Sequence, residues 1–527
     1  MAREALVSLP VEITHLILTH LHPDAAEIRD RELGPSDPSW DCLQLQPLLS
    51  LCLISQRLCD LAQPLLYRGF MLGCGESWRS NGFSWKGRLL SFMRTVVRRR
   101  DLASQVKRVY IHPLLWETHR TKKIAVVNFW KSEDNPIWKP HTRYYRNEVR
   151  ELLSDLADAL STDSLRGLSE DDLLAILISQ LPNLRHCTLQ VGGDDDQVAP
   201  IAGLRSRLPI KTLDLELCAT AREVRRSFGI VSTVRRAFSL LSLSVGLETL
   251  NLHEYYGVMS DERDLIPLLP NLTNLRLTFS WLSERTLQRL LSSCGSLRTF
   301  FYETTSNPER KFSEYYPRPL VRKGNIHFSL ADAVKHLQRH SNTLQSVHLD
   351  LRMRGFTECT PEPWGACSFE QFTTLEHLLL TLDEFHPVYM NSRPSPDQGF
   401  SKLLPPSITS LSLVGQITEE DIPRIEESLS GLAEAVSRAE LPILEAVRWD
   451  KYQTLSANFP VHSIFAAAGV DFSYSGFPLS RSTLGEYQSI ARPSYVDDGY
   501  RFYPQADPLQ VALQAALQPL PGEDLDF

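Results

Sequence analysis

A six-residue pattern, apolar-x-x-apolar-x-apolar, recurs ten times in this 527-residue chain and constrains its fold more than any other feature. It reads Val106/Val109/Ile111, Leu184/Cys187/Leu189, Ile210/Leu213/Leu215, Leu247/Leu250/Leu252 and Leu272/Leu275/Leu277. It continues as Leu297/Phe300/Tyr302, Leu344/Val347/Leu349, Leu375/Leu378/Leu380, Ile408/Leu411/Leu413 and Leu444/Val447/Trp449. The alternation at the end of each copy is the period of a strand with one buried face. From Leu184 onward the starts step by 26, 37, 25, 25, 47, 31, 33 and 36 residues. A motif that returns in phase this often describes a stack of similar units.

Helical spacing fills several of the gaps. Residues 88–100 place Leu89, Leu90, Met93, Val96 and Val97 on one face. Residues 261–269, 283–293 and 419–439 show similar spacing, and Ser169 and Ser329 each open a capping-box-like start. Leu-Pro-Asn-Leu turns at 181–184 and 269–272 lead into strands. A unit of one strand and one helix cannot bury its apolar side alone, so the units must stack, with a parallel sheet inside and helices outside. Leucine supplies about one residue in six, and the shorter steps match leucine-rich repeats, the longer ones being repeats with inserted loops. The expected fold class is α/β. A small three-helix module over 1–72 precedes an irregular leucine-rich-repeat solenoid over 73–475. A C-terminal segment, 476–527, caps the last repeat or stays loose.

Composition narrows the function. A net charge of −8 gives the whole chain no bulk attraction to nucleic acid. The basic cluster at Arg94, Arg98, Arg99, Arg100, Lys107 and Arg108 reads as the solvated face of the first repeat helix. Apolar runs such as 48–54 fall far short of the roughly 18 residues of a membrane span. Nine cysteines with no Cys-x-x-Cys fit a reducing compartment, the cytoplasm or the nucleus. No phosphate loop, dinucleotide fingerprint, nucleophile elbow or His-Glu-x-x-His occurs, so a non-catalytic chain without cofactor or metal is expected.

The first seventy residues differ in pattern. Ser8 is placed to cap a helix in which Ile13, Leu16, Ile17 and Leu21 recur at helical spacing. The run 48–54 is followed by Ser55-Gln-Arg-Leu-Cys-Asp-Leu-Ala-Gln-Pro-Leu-Leu-Tyr-Arg68. Leu9-Pro10-x-Glu12-Ile13-x-x-x-Ile17-x-x-x-Leu21 resembles the first helix of an F-box, and residues 54–68 resemble its later helices and exit. The linker over 23–47 is longer than usual for such a module. The arrangement is similar to the F-box/leucine-rich-repeat proteins common in filamentous fungi. That resemblance implies a substrate-recognition subunit of a Skp-cullin-F-box ubiquitin ligase. Its Skp-type adaptor, and through it a cullin, would meet Leu9, Pro10, Ile13, Ile17, Leu21, Leu53, Ile54, Leu58, Leu65 and Leu66. The repeat surface would hold a target protein. The alternative is a ligase-independent interaction scaffold.

If the signature residues point into the core, the positions between them face the concave side. The central row is Tyr110, Thr188, Asp214, Asn251, Arg276, Phe301, His348, Leu379, Ser412 and Arg448. Of these, Tyr110, Arg276, Phe301, His348 and Arg448 are candidates for target binding. Insertions over 112–168, 303–328, 352–370 and 383–400 follow strands and are rich in aromatic side chains. Trp130, Trp138 and Trp364 there are further candidates, since aromatic residues commonly anchor interfaces.

Overall fold

The computed structural model describes residues 9–21, 40–72, 88–111, 177–191, 208–217, 241–253, 255–257, 266–304, 328–352, 367–382, 399–415, 419, 421–477 and 480. Two helices, α1 (Val11–His20) and α2 (Trp40–Ile54), lead into α3 (Gln56–Leu66). The linker expected over 23–47 is therefore shorter at its far end, where α2 already runs from Trp40. Ser55 separates α2 from α3 because its extended backbone lets its hydroxyl accept from the Leu58 amide at 3.2 Å. Leu18, Leu48, Ala62 and Leu65 form the small core of this unit.

A parallel sheet follows. Its strands are β1 (Gly69–Phe70), β2 (Arg108–Ile111), β3 (His186–Val191), β4 (Thr212–Leu217) and β5 (Thr249–His253). A short β6 (Tyr256–Gly257) pairs beside β7 (Asn274–Leu282), and the path continues through β8 (Thr299–Thr304) and β9 (Ser346–Asp350). It ends with β10 (His377–Thr381), β11 (Ser410–Val414), β12 (Ala446–Asp450) and β13 (Asp471–Ser475). Apart from β6, the strands pair in sequence order, each with the next, as a solenoid-like α/β stack requires.

All ten signature copies lead into strands, and their apolar residues form one continuous core from Phe70 to Phe472. Helices α4 (Arg88–Arg98), α6 (Glu284–Ser293), α7 (Leu330–Leu337), α8 (Ile422–Ser437) and α9 (Val461–Ala467) contribute to it. The short α5 (Arg100–Ala103) completes the first turn. Ser329 makes the expected capping box with Asp332, and Ser283 caps α6. The helical spacing over 261–269 does not yield a helix in its described part, where Leu269 bridges to Cys294 and the next residues turn. Gly295 lies so close there that a Cβ would stand 2.0 Å from the Pro270 carbonyl oxygen.

Two strands escaped the pattern. β1 carries the same signature as Tyr67/Phe70/Leu72, and Tyr67 and Leu72 pack on the solenoid core. The boundary expected at residue 72 therefore falls inside the solenoid. In β13, Phe472 and Tyr474 pair with Val447 and Trp449, but Gly469 occupies the place of the first leucine. No helix among the described residues is long and apolar enough to cross a membrane.

Candidate functional site

In-register parallel pairing lays equivalent residues side by side across the strands. Arg276 pairs with Phe301, and Phe301 with His348. Their side chains stack: the Arg276 guanidinium lies 4.2 Å from the Phe301 ring centre, and that ring lies 3.8 Å from the His348 imidazole. A cation over an aromatic face is favourable, more so where water is excluded. The three sequence candidates on β7, β8 and β9 thus form one surface.

Two residues further along the strands the face becomes acidic but closed to water. Glu303, Asp350 and Asp450 are each only 2 % exposed. Arg352, just past β9, donates to both Asp350 oxygens, the shortest contact being 2.6 Å, and reaches Asp450 at 3.5 Å. Asp450 also accepts from the Tyr452 amide at 3.1 Å. The Arg352–Asp450 contact spans three strand spacings, about 14 Å along a flat sheet. One side chain closes that gap because the sheet curves toward its concave side.

Two residues beyond β13, Phe477 and Ser480, reach the same face and form a cleft with it. Arg352 donates to the Phe477 carbonyl at 2.6 Å. Ser480 donates its amide to Glu303 at 3.1 and 3.2 Å and its hydroxyl at 3.0 Å, and accepts from Arg276 at 2.5 Å. Five residues reach at most about 17 Å, whereas β8 and β13 are about 24 Å apart along a flat sheet. The contact closes only because the sheet curves. The described residues 477 and 480 therefore touch the concave face instead of merely ending the last repeat.

Burial sets the electrostatics. It lifts Glu303 above the usual carboxylate range, although the Ser480 hydrogen bonds pull the other way. Burial, with Arg276 and Arg352 adding repulsion, lowers His348 to about 3. His253 falls to about 4 through burial and then Arg276. It contacts the Thr278 hydroxyl at 2.7 Å and tilts against Phe279, which sits at a bulge of β7 with φ of +50°. Glu303, His348 and Asp350 bring possible metal-ligating atoms within 4.8 Å of one another. Both carboxylates are already engaged, by Ser480 and Arg352, and two guanidinium groups stand beside them, so the charge balance disfavours a cation.

Other concave positions are less open than alternation alone implies. Tyr110 is completely buried, which removes it as a target contact. Alternation sets the side from which a residue leaves a strand, not whether that side stays uncovered. Thr188 and Asp214 are also buried, because the Asp214 carboxylate gathers His186 and Thr188 at 2.8 Å and Asn251 at 2.5 Å. Arg448 remains exposed on β12. Trp130, Trp138 and Trp364 lie outside the described residues. Their insertions leave from Ile111 and Asp350, at the C-terminal ends of parallel strands and hence along one rim.

A second surface lies on the N-terminal helices. α1 buries Thr14 and Leu18, one turn apart, and turns Val11, Ile13, Leu16, Ile17 and Leu21 outward. Leu49 and Leu53 of α2 are also exposed, Leu53 by 88 %. Pro10 is exposed, while Leu9, Ile54 and Leu66 are half-buried. Arg57 of α3 holds the Leu9 carbonyl at 2.7 Å and so ties the start of α1 to α3. Leu58 and Leu65 correct the sequence reading: both are buried, Leu65 within the module core, and neither offers a surface to a partner. The sequence matches no protein-family model and no curated protein.

Proposed function

We propose that the chain is the substrate-recognition subunit of a Skp-cullin-F-box ubiquitin ligase. In this reading the N-terminal helices are an F-box that docks on a Skp-type adaptor, and the sheet is a leucine-rich-repeat surface that holds the target. The chain performs no chemistry itself; it raises the local concentration of the target near the ubiquitin carrier. The supporting observation is the outward apolar set Ile13, Ile17, Leu21 and Leu53, at positions where the F-box resemblance expects adaptor contacts. Covering a Leu or Ile contributes about 1.5–3 kcal/mol, so four such residues can sustain binding after ordering costs. Exposed apolar clusters of this kind mark contact surfaces.

Affinity purification of the full chain beside an Ile17→Ser, Leu53→Ser variant tests this. Adaptor and cullin should accompany the wild type and fall at least tenfold with the variant, the cost of about 1.4 kcal/mol of lost contact. The variant should unfold at the wild-type temperature. Absence of adaptor from the wild-type complex overturns the ligase reading and favours the scaffold.

A further inference from the structure

We infer that the cleft formed by Arg276, Glu303 and Arg352 is a docking site for an extended polypeptide carrying a serine or threonine, and that Phe477 and Ser480 occupy it as an internal competitor. The inference rests on the reading that the concave face holds a target, and is independent of adaptor docking. Its first ground is the state of Glu303. This carboxylate is almost fully buried, and every hydrogen bond it accepts among the described residues comes from Ser480. A buried carboxylate without donors is costly, so any segment that covers Glu303 as Ser480 does has to bring donors of its own, here an N–H and an O–H.

The second ground is what the cleft reads. Arg352 takes a main-chain carbonyl, Glu303 a main-chain amide, and Glu303 with Arg276 a small hydroxyl. No contact among these is particular to Phe477 or to this segment's remaining side chains. Any extended chain with a hydroxyl residue at the same place can make them, as main-chain recognition by a sheet protein generally allows. Arg352 is itself fixed by Asp350 and Asp450, and Arg276 by its stack on Phe301, so the donors are set before an occupant arrives. A target segment therefore gains these bonds only by displacing the chain's own residues.

The test uses the full chain and a fluorescent synthetic peptide of residues 474–486. Ser480→Pro in the protein deletes both donors to Glu303 and adds no charge. This variant should bind the peptide at least tenfold more tightly than the wild type, whose cleft is filled. A peptide carrying Ser480→Pro should lose at least tenfold in binding to the same variant. Equal peptide binding by the two proteins, or none by a variant that unfolds at the wild-type temperature, overturns the proposal. A second measurement needs no variant. Excess unlabelled peptide should accelerate hydrogen exchange in residues 476–484 of the wild-type chain, and unchanged exchange overturns the proposal. Adaptor capture should not move in either experiment, so a failure here is separable from a failure of the ligase reading.

Discussion

Leu53 in α2 is 88 % exposed, whereas Glu303 in β8 is 2 % exposed. The N-terminal helices leave apolar side chains in water, while the concave sheet withdraws charges from it. Both placements run against the usual distribution of residues, and each needs compensation. The sheet compensates internally: Arg352 serves Asp350 and Asp450, and Ser480 serves Glu303. The exposed leucines and isoleucines have no such internal answer among the described residues, whose small core is built from Leu18, Leu48, Ala62 and Leu65. One region is closed by its own chain, and the other leaves its apolar side chains exposed.

Removing the internal compensation should give the largest effect. Arg352→Ala removes the cation shared by two buried carboxylates and leaves them only main-chain amides, and loss of one partner of a buried pair costs about 3–5 kcal/mol. Urea denaturation should show that loss with an unchanged dependence on denaturant. A loss below 1 kcal/mol would mean that water reaches Asp350 and Asp450.

The helical region offers a paired contrast. Leu18→Ala removes a buried side chain from a four-residue core and should cost about 2–5 kcal/mol. Leu53→Ala should change stability by less than about 0.5 kcal/mol, as for a surface site. Thermal unfolding of the two variants decides whether α1 and α2 divide their apolar residues between core and contact face.

The sequence made these regions legible to different degrees. The strands were readable because each signature turns its apolar residues into a core shared with both neighbours. The stack of Arg276, Phe301 and His348 follows from the same register once the strands pair in parallel. β13 was hidden by Gly469, and β1 by the helical residues just before it. The contacts of Arg352 with Asp450, and of Ser480 with Glu303, depend on the curvature of the whole sheet, which no local pattern encodes. Helix periodicity likewise gathers Ile13, Leu16, Ile17 and Leu21 into an apolar set without saying whether it faces inward. The structure buries Thr14 and Leu18 instead.

Acidification probes the concave side at a smaller scale. His348 titrates near 6.5 when unfolded and near 3 when folded, where Arg276, Glu303, Asp350 and Arg352 surround the Phe301 stack. Between those values the unfolded chain binds the extra proton, so stability falls as the pH drops below 6.5. At pH 5 the loss should reach about 2 kcal/mol for this imidazole. His348→Phe keeps a ring on Phe301 and removes the titration, so its melting temperature should fall less between pH 7 and pH 5. His253, lowered to about 4, leaves part of the acid sensitivity in place. Parallel pH profiles would show that His348 is not desolvated.

The smallest effect should come from the contact that most resembles the largest. Lys211 and Glu248 meet at 2.6 Å, the same separation as Arg352 and Asp350, but both are about half exposed. In water the attraction is offset by hydration and by the freedom the two side chains give up, so such pairs contribute about 0–1 kcal/mol. Lys211→Ala should therefore shift the urea midpoint barely beyond error, and 0.5 M salt should erase the shift by screening. Arg352→Ala should keep most of its cost in the same salt, because its carboxylates lie away from the solvent. If the two variants respond alike to salt, distance and not burial governs these pairs, and the distinction between the closed cleft and the open surface is lost.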